Sequence, residues 1–285
     1  MPCIAKRFAT LAGSWRATAF LAGLAGLALA IGVKSLAPAA MAQDMTQYLD
    51  LKSDEFTKAD LSREDIENLI AASRSGERID LSARRLNGLD LSGLDLSGVN
   101  LQSARINGTN LSKARLDGAV LDQAWGLEAD LTGASLKGAS LFSTQLMGAK
   151  LDGADFSNAR VAADFSRASL KGALFDRADL SADMKNQSMG LMRGVFKSAD
   201  LQGSSFRDAN LARVVLEYAR LGKADLGNAN LMGAELGGAD LTGANVSGSD
   251  FTGADVNSAR LLGLVGRDAA LGLQSAKNLD RAITD

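Results

Sequence analysis

The sequence predicts an all-β fold in which the chain winds into a four-sided coil, and three observations carry that reading. Large apolar residues recur every five positions, as in Leu241, Val246, Phe251 and Val256. Neither the two-residue period of a strand nor the three-to-four-residue period of a helical face gives that spacing. A small residue, usually Ala, stands two places before each large one, and Gly often stands two places after it. Positions two apart on extended chain point the same way, so Ala and Leu are the two inward residues of each five. The other three face water and turn a corner, where Gly tolerates unusual backbone angles. Four equal sides close after twenty residues, and successive turns stack at about 4.8 Å.

In chain order, residues 1–42 read as a secretion signal. Lys6, Arg7 and Arg16 precede the apolar run Ala17–Val33, and Ala40-Met41-Ala42 has the small-x-small form of a cleavage site. The rival reading is an uncleaved anchor, for which seventeen residues is the lower limit of a span. Residues 43–80 form an N-terminal region with one short helix. Ser62 with Asp65 makes its N-cap, Ile66, Leu69 and Ile70 form an apolar face, and Gly76 ends it. That helix is expected to cap the coil, the alternative being a docking helix for a partner.

The coil itself occupies residues 81–261, from Leu81 to Leu261, about nine turns and roughly 43 Å long. In its first turn Arg84 holds an Ala position, and Leu89, Leu94 and Val99 follow with larger residues, which predicts a wide start to the rod. Three interruptions break the period. Gly126 replaces a large residue beside Trp125, one residue is missing between Val161 and Phe165, and the stretch between Leu180 and Phe196 is irregular. Residues 262–285 lose the strict period and are expected to form a C-terminal cap. A coil of this kind needs many stacked turns and sealed ends, because one turn alone buries too little.

The tandem A-[DN]-L-x-x pattern, as in Ala129-Asp130-Leu131 and Ala239-Asp240-Leu241, resembles the pentapeptide-repeat family over some two-thirds of the chain. The resemblance implies a right-handed quadrilateral β-helix.

Composition narrows the chemistry. The chain has no His, and its only Cys is Cys3, inside the leader. Ser-His and Cys-His nucleophiles are therefore excluded, as are the usual Zn, Cu and haem ligand sets. No catalytic, cofactor-binding or metal-binding residue is assigned and no cofactor is expected. Four of the 31 basic residues and none of the 33 acidic ones lie in the leader, so the remainder carries a net charge of −6. Without a basic excess, nucleic acid is not the expected ligand. Twenty-residue stacking places Asp200, Arg220, Asp240 and Arg260 in one outward column and Asn210 with Asn230 in another. Arg85, Arg105 and Trp125 fall in a third. These read as solvated ladders between turns rather than as a carbohydrate or anion strip.

The expected function is that of an exported, non-enzymatic scaffold or protein-interaction module, periplasmic or extracellular. Insertions in solenoids map to loops on a face and often bind partners. Trp125, Met184, Met189, Met192 and Arg193 are thus the candidate residues for a protein partner. A membrane would be met only through an uncleaved N-terminal segment, and an end of the coil is a candidate surface for a homodimer. The alternative, implied by the resemblance, is a DNA mimic that occupies gyrase and protects against quinolones. The leader and the Arg residues interleaved among the outward Asp residues weigh against it. A polysaccharide-cleaving enzyme lacks any distinguishable carboxylate pair.

Overall fold

Each five-residue unit becomes one side of a square coil. A computed structural model describes residues 49–73, 78–182 and 192–285. The leader at 1–42, the helix terminator Gly76, and Met184 and Met189 lie outside the described residues. Parallel backbone bridges link residues one turn apart and sort the outward positions into four columns, here called faces one to four. They begin at Asp80, Arg85, Asp90 and Asp95 respectively. Face one, from Asp80 to Leu271, passes through ten rungs.

Each side is bonded to its neighbours in the same way. The Leu81 amide donates to Asn100 (2.8 Å) and the Ala83 amide to Gln102 (2.8 Å), while the Arg105 amide donates back to Arg84 (2.9 Å). The ladder on a side is one residue pair long, because the chain turns immediately afterwards. Among the described residues only β1 (Arg260–Leu261) and β2 (Ile283–Thr284) extend to two paired residues.

At the corner the Arg84 amide donates to the Leu81 carbonyl (3.2 Å), closing a four-residue turn. Its third residue has left-handed φ whatever its type: 69° at Gly88, but also 58° at Lys113, 61° at Arg167 and 58° at Tyr218.

Inside, the paired positions form continuous columns of Leu and Ala that are essentially inaccessible. Midway along, Phe156, Phe175 and Phe206 stack face to face at 4.7 and 4.9 Å. Phe165 and Phe196 stack beside them at 4.9 Å and meet them edge-on. Dispersion and the edge-to-face preference of aromatic rings both favour that arrangement.

The interruptions leave the register intact. At 161–165 the corner loses its left-handed residue, and Asp164 still bridges Gln145. Across the irregular stretch Asp164 bridges Val195, which bridges Val215 in the ordinary way. Ala182 is bonded to the rung after it and Gly194 to Leu180, so the coil is regular up to one residue and from the other. At Gly126 the missing side chain is replaced from its neighbours. A Cβ there would lie 2.9 Å from Leu146 Cδ2 and 3.2 Å from Ile106 Cγ1.

Before the coil stand α1 (Asp54–Thr57) and α2 (Arg63–Ala72). The Ser62 hydroxyl accepts from the Asp65 amide and the Asp65 carboxylate accepts from the Ser62 amide, the reciprocal cap that the sequence encodes. Ile66 is fully buried and Ile70 half-buried, but Leu69 is 42% exposed, so the apolar face is narrower than expected. Leu89 and Leu94 are half-buried and pack against the core cluster that contains Ile66. Arg84 is exposed, and the first rung stacks in register on the second rather than opening.

After Leu261 the period does not dissolve. It widens to six, with Val265, Leu271, Lys277 and Ile283 opposite the previous rung. Each longer corner holds a 3₁₀ turn, at Arg267–Ala269, Leu273–Ser275 and Leu279–Arg281. The C-terminal segment is therefore a tenth rung of the same coil.

Candidate interaction surface

The outward columns contain the ladders that stacking requires. Arg220 reaches Asp200 at 3.1 Å and Arg260 reaches Asp240 at 3.8 Å. The Asn230 amide donates to Asn210 Oδ1 at 3.1 Å. Arg115 and Arg160 likewise meet Asp95 and Asp179 at 3.1 and 3.2 Å. Such exposed pairs contribute about 0–1 kcal/mol each.

Face two departs from this regularity. Over its first three rungs, Arg85, Arg105 and Trp125 lie beneath a strap formed by residues 54–60. The Asp60 carboxylate accepts from Arg85 Nε (2.8 Å) and from the Arg85 amide (3.0 Å). Glu55 pairs with Arg105 at 2.6 Å, and the Arg105 guanidinium lies 5.3 Å from the centre of the Phe56 ring. Phe56 meets Trp125 edge-on at 5.6 Å. Asn87 Nδ2 donates to the carbonyls of Glu55 (3.2 Å) and Lys58 (2.9 Å). Trp125 is accordingly half-buried against its own chain.

Charge follows the same contacts. The hydrogen bonds from the Arg85 side chain and amide hold the Asp60 carboxyl below the usual aspartate range. Asp65 is held down by the Ser62 amide and hydroxyl. Asp80, Asp90 and Asp95 are lowered by hydrogen bonds from the Ser two residues on. Every carboxyl with a clear shift is favoured in its ionised form, which suits ladders and ion pairs rather than proton donation.

Further along face two, Met192 and Arg193 lead back into the coil, both half-buried. Arg193 Nη1 donates to the Arg213 carbonyl and to Glu235 Oε1, both at 2.9 Å, spanning two rungs. Beyond them an open groove of about 930 Å³ runs over Glu235, Asp255 and Lys277, between Met232 and Tyr218. Tyr218 packs against Gly238, where a Cβ would come within 2.6 Å of its ring. Of the five residues singled out in the sequence, the three that are described fall in two groups along this face, Trp125 on the third rung and Met192–Arg193 at the sixth, while Met184 and Met189 lie outside the described residues. The strap residues Glu55, Phe56 and Asp60 and the groove residues Tyr218 and Met232 were missed. The hint available for the strap was Phe56 itself, a lone aromatic at repeat spacing from Leu61.

Among the described residues no group of three potential metal ligands converges, and no helix is long and apolar enough to cross a membrane. No curated protein matches the chain in sequence. Among solved structures, the chain is similar to HetL, a pentapeptide repeat protein involved in heterocyst differentiation regulation in the cyanobacterium Nostoc. They share 28% identity over 78% of this chain and 99% of that one, with a TM-score of 0.41. It is also similar to QnrB1, a plasmid-mediated fluoroquinolone resistance protein, at 17% identity over 73% and 93% of the two chains, with a TM-score of 0.37. The profile for pentapeptide repeats matches in eight copies, over residues 85–123, 128–160, 195–231 and 229–261. Its repeat matching that profile in sequence and stacking as rungs in the structure, the chain belongs to the pentapeptide-repeat family.

Proposed function

We propose that this protein is an exported, non-enzymatic scaffold that holds a protein partner on face two of its coil. The observation that carries the reading is the junction at Met192–Arg193. There the repeat is interrupted, and Arg193 fixes the return of the chain to the face by bonding Arg213 and Glu235. Binding residues concentrate on loops held by a rigid scaffold, and this is the one long insertion in the coil. Met184 and Met189 belong to that insertion and supply adaptable apolar contact. Trp125 joins the surface as a composite edge with Phe56. In this reading α2 is the cap of the N-terminal end, and residues 1–42 are the secretion signal that delivers the protein to the periplasm or beyond.

The ladder of outward Arg residues supports this reading over a DNA mimic. Arg115, Arg160, Arg220 and Arg260 each sit against an outward Asp, so those carboxylates do not form an unbroken phosphate-like row.

Cell fractionation with mass spectrometry of the N-terminus tests export, with a start at Gln43 expected. An intact Met1 in the cytoplasm would overturn it. Affinity capture from the exported fraction tests the surface. Deleting Asn186 to Arg193, or Trp125→Ala, should lose the partner while the circular dichroism of the coil persists. Unchanged capture by both variants would remove face two from the proposal.

A further inference from the structure

Arginines in the outward columns elsewhere have an acid beside them in the same column. Arg115 has Asp95, Arg160 has Asp179, Arg220 has Asp200 and Arg260 has Asp240. Arg85 and Arg105 on face two do not. They stack on each other one rung apart, and the next residue in the column is Trp125. Like charges placed directly opposite repel. The coil itself thus leaves two adjacent cations and an indole without a complement.

The strap supplies that complement from outside the coil, and its two halves are held differently. Ala59 and Asp60 are tied through the backbone: Ala59 bridges Leu86, and the Asp60 amide donates to the Arg85 carbonyl (2.7 Å). The half that covers Arg105 and Trp125 is α1, a single helical turn with no buried residue and no side-chain N-cap. One turn is marginal by itself, and exposed ion pairs such as Glu55–Arg105 add little. Beneath it the rungs keep their own ladder. The Leu86 amide donates to the Arg105 carbonyl (2.7 Å) and the Ile106 amide to the Trp125 carbonyl (2.6 Å). Lifting α1 therefore breaks no bond between rungs.

The fit of α1 is also incomplete. Glu55 Oε1 approaches Arg105 at Nη2 (2.6 Å). Arg105 Nε is shielded from solvent and has no acceptor, the only buried side-chain nitrogen or oxygen among the described residues in that state. Asp60, by contrast, takes Arg85 side-on, accepting from both Nε and Nη2. A carboxylate that took Arg105 in the same side-on way would bind it better than Glu55 does.

We propose that the first rungs of face two are a binding site for an acidic-aromatic segment of a partner protein, and that α1 occupies this site in cis as a displaceable stand-in. The proposal rests on the reading that face two holds a protein partner, and adds the chemistry of that partner. The segment carries a carboxylate directly before an aromatic ring, as Glu55-Phe56 does, the carboxylate for Arg105 and the ring for Trp125. Ala59 and Asp60 stay bonded and form the hinge. As a tethered ligand α1 competes at high local concentration, so the partner's apparent affinity scales with the fraction of chains that are open.

The test uses the full chain with Trp15→Phe, in which Trp125 is the only indole, and a blocked synthetic peptide of residues 53–58, SDEFTK. Opening the strap with Glu55→Gln/Phe56→Ala should let the peptide bind at least tenfold more tightly than it binds the chain with its own strap. Binding should shift Trp125 emission to the blue, with the circular dichroism of the coil retained. The same peptide with Glu55→Gln or Phe56→Ala should bind at least tenfold more weakly. Charge reversal supplies a second measure: Arg105→Glu in the opened chain should abolish binding, and a peptide with Glu55→Lys should restore it. Equal affinity for the covered and opened chains, or no binding to the opened one, would overturn the proposal. So would a wild-type dimer in sedimentation velocity that Glu55→Gln/Phe56→Ala abolishes, since the site would then hold the strap of a second copy. The peptide is titrated without any partner, so the two readings fail separately. Loss of capture in Trp125→Ala with no peptide binding would overturn the stand-in and leave the partner on face two.

Discussion

Gly126 shows how far a single residue can mislead when only its place in the repeat is considered. The period calls for Leu at that position, so Gly126→Leu looks like a repair of the sequence. The space is already filled by Leu146 and Ile106 from the rungs on either side. We therefore expect Gly126→Leu to destabilise the fold by about 1–3 kcal/mol through overpacking, measured by denaturant unfolding against wild type. A gain in stability would show that the neighbours can withdraw. The corner residues teach a related lesson. Glycine was legible in the sequence as the residue of unusual backbone angles, yet Lys113, Arg167 and Tyr218 adopt the same left-handed φ. The turn's hydrogen bond and the ladders on both sides hold the angle, so residue identity there reports preference rather than permission.

At the scale of elements, the strap is the feature whose chemistry can be followed most directly. Phe56→Ala removes the edge-on contact with Trp125, worth about 0.5–1.5 kcal/mol beyond its buried area. In a Trp15→Phe background, where Trp125 is the only indole, its emission should shift to the red while global unfolding changes little. An unaltered spectrum would show that Phe56 does not shield the indole. Acid should act on the same element. The Asp60 carboxyl titrates below the ordinary 3.8 in the folded chain because Arg85 favours its charged form. A lowered folded value means that the stabilisation is present above the unfolded value and is lost as pH falls through the folded one. Trp125 emission should accordingly shift to the red as pH drops below about 3.8, before the coil itself melts, and Asp60→Asn should mimic the change at neutral pH. Coincident loss of emission and circular dichroism would show that strap and coil are one unit.

How much of these elements could be read in advance followed from how local their determinants are. Ser62, Asp65 and Ile66 are within one helical turn of each other, so α2 and its cap were legible. The docking of Phe56 on Trp125 joins residues far apart in the chain, and no spacing encodes it. The six-residue rung was obscured because Gly266 stands where the five-residue pattern expects a large side chain, and the next two sides put Gly272 and Asn278 at the corresponding place one and two residues late.

For the whole molecule, each rung touches only its neighbours, so stability is close to a sum of local terms and need not be uniform. The aromatic stack covers Phe156 to Phe206, adding ring contacts on top of the Leu and Ala columns. Hydrogen exchange should be slowest in the amides around Phe165, Phe175 and Phe196. It should quicken toward Leu81 and Leu261. Uniform protection along the coil would show that the rings add nothing beyond ordinary packing.

The same stack lies at the two places where the sequence loses its count, one residue short after Val161 and eleven residues long before Gly194. Phe165 and Phe196 face each other directly across the longer break. An unfolding front entering from either terminus would have to part these rings before it could cross. The break in the repeat is thus where separation of the rod into two halves is slowest rather than fastest. Folding can be expected to start there too, with the regular rungs added outward like courses of brick on a central tie.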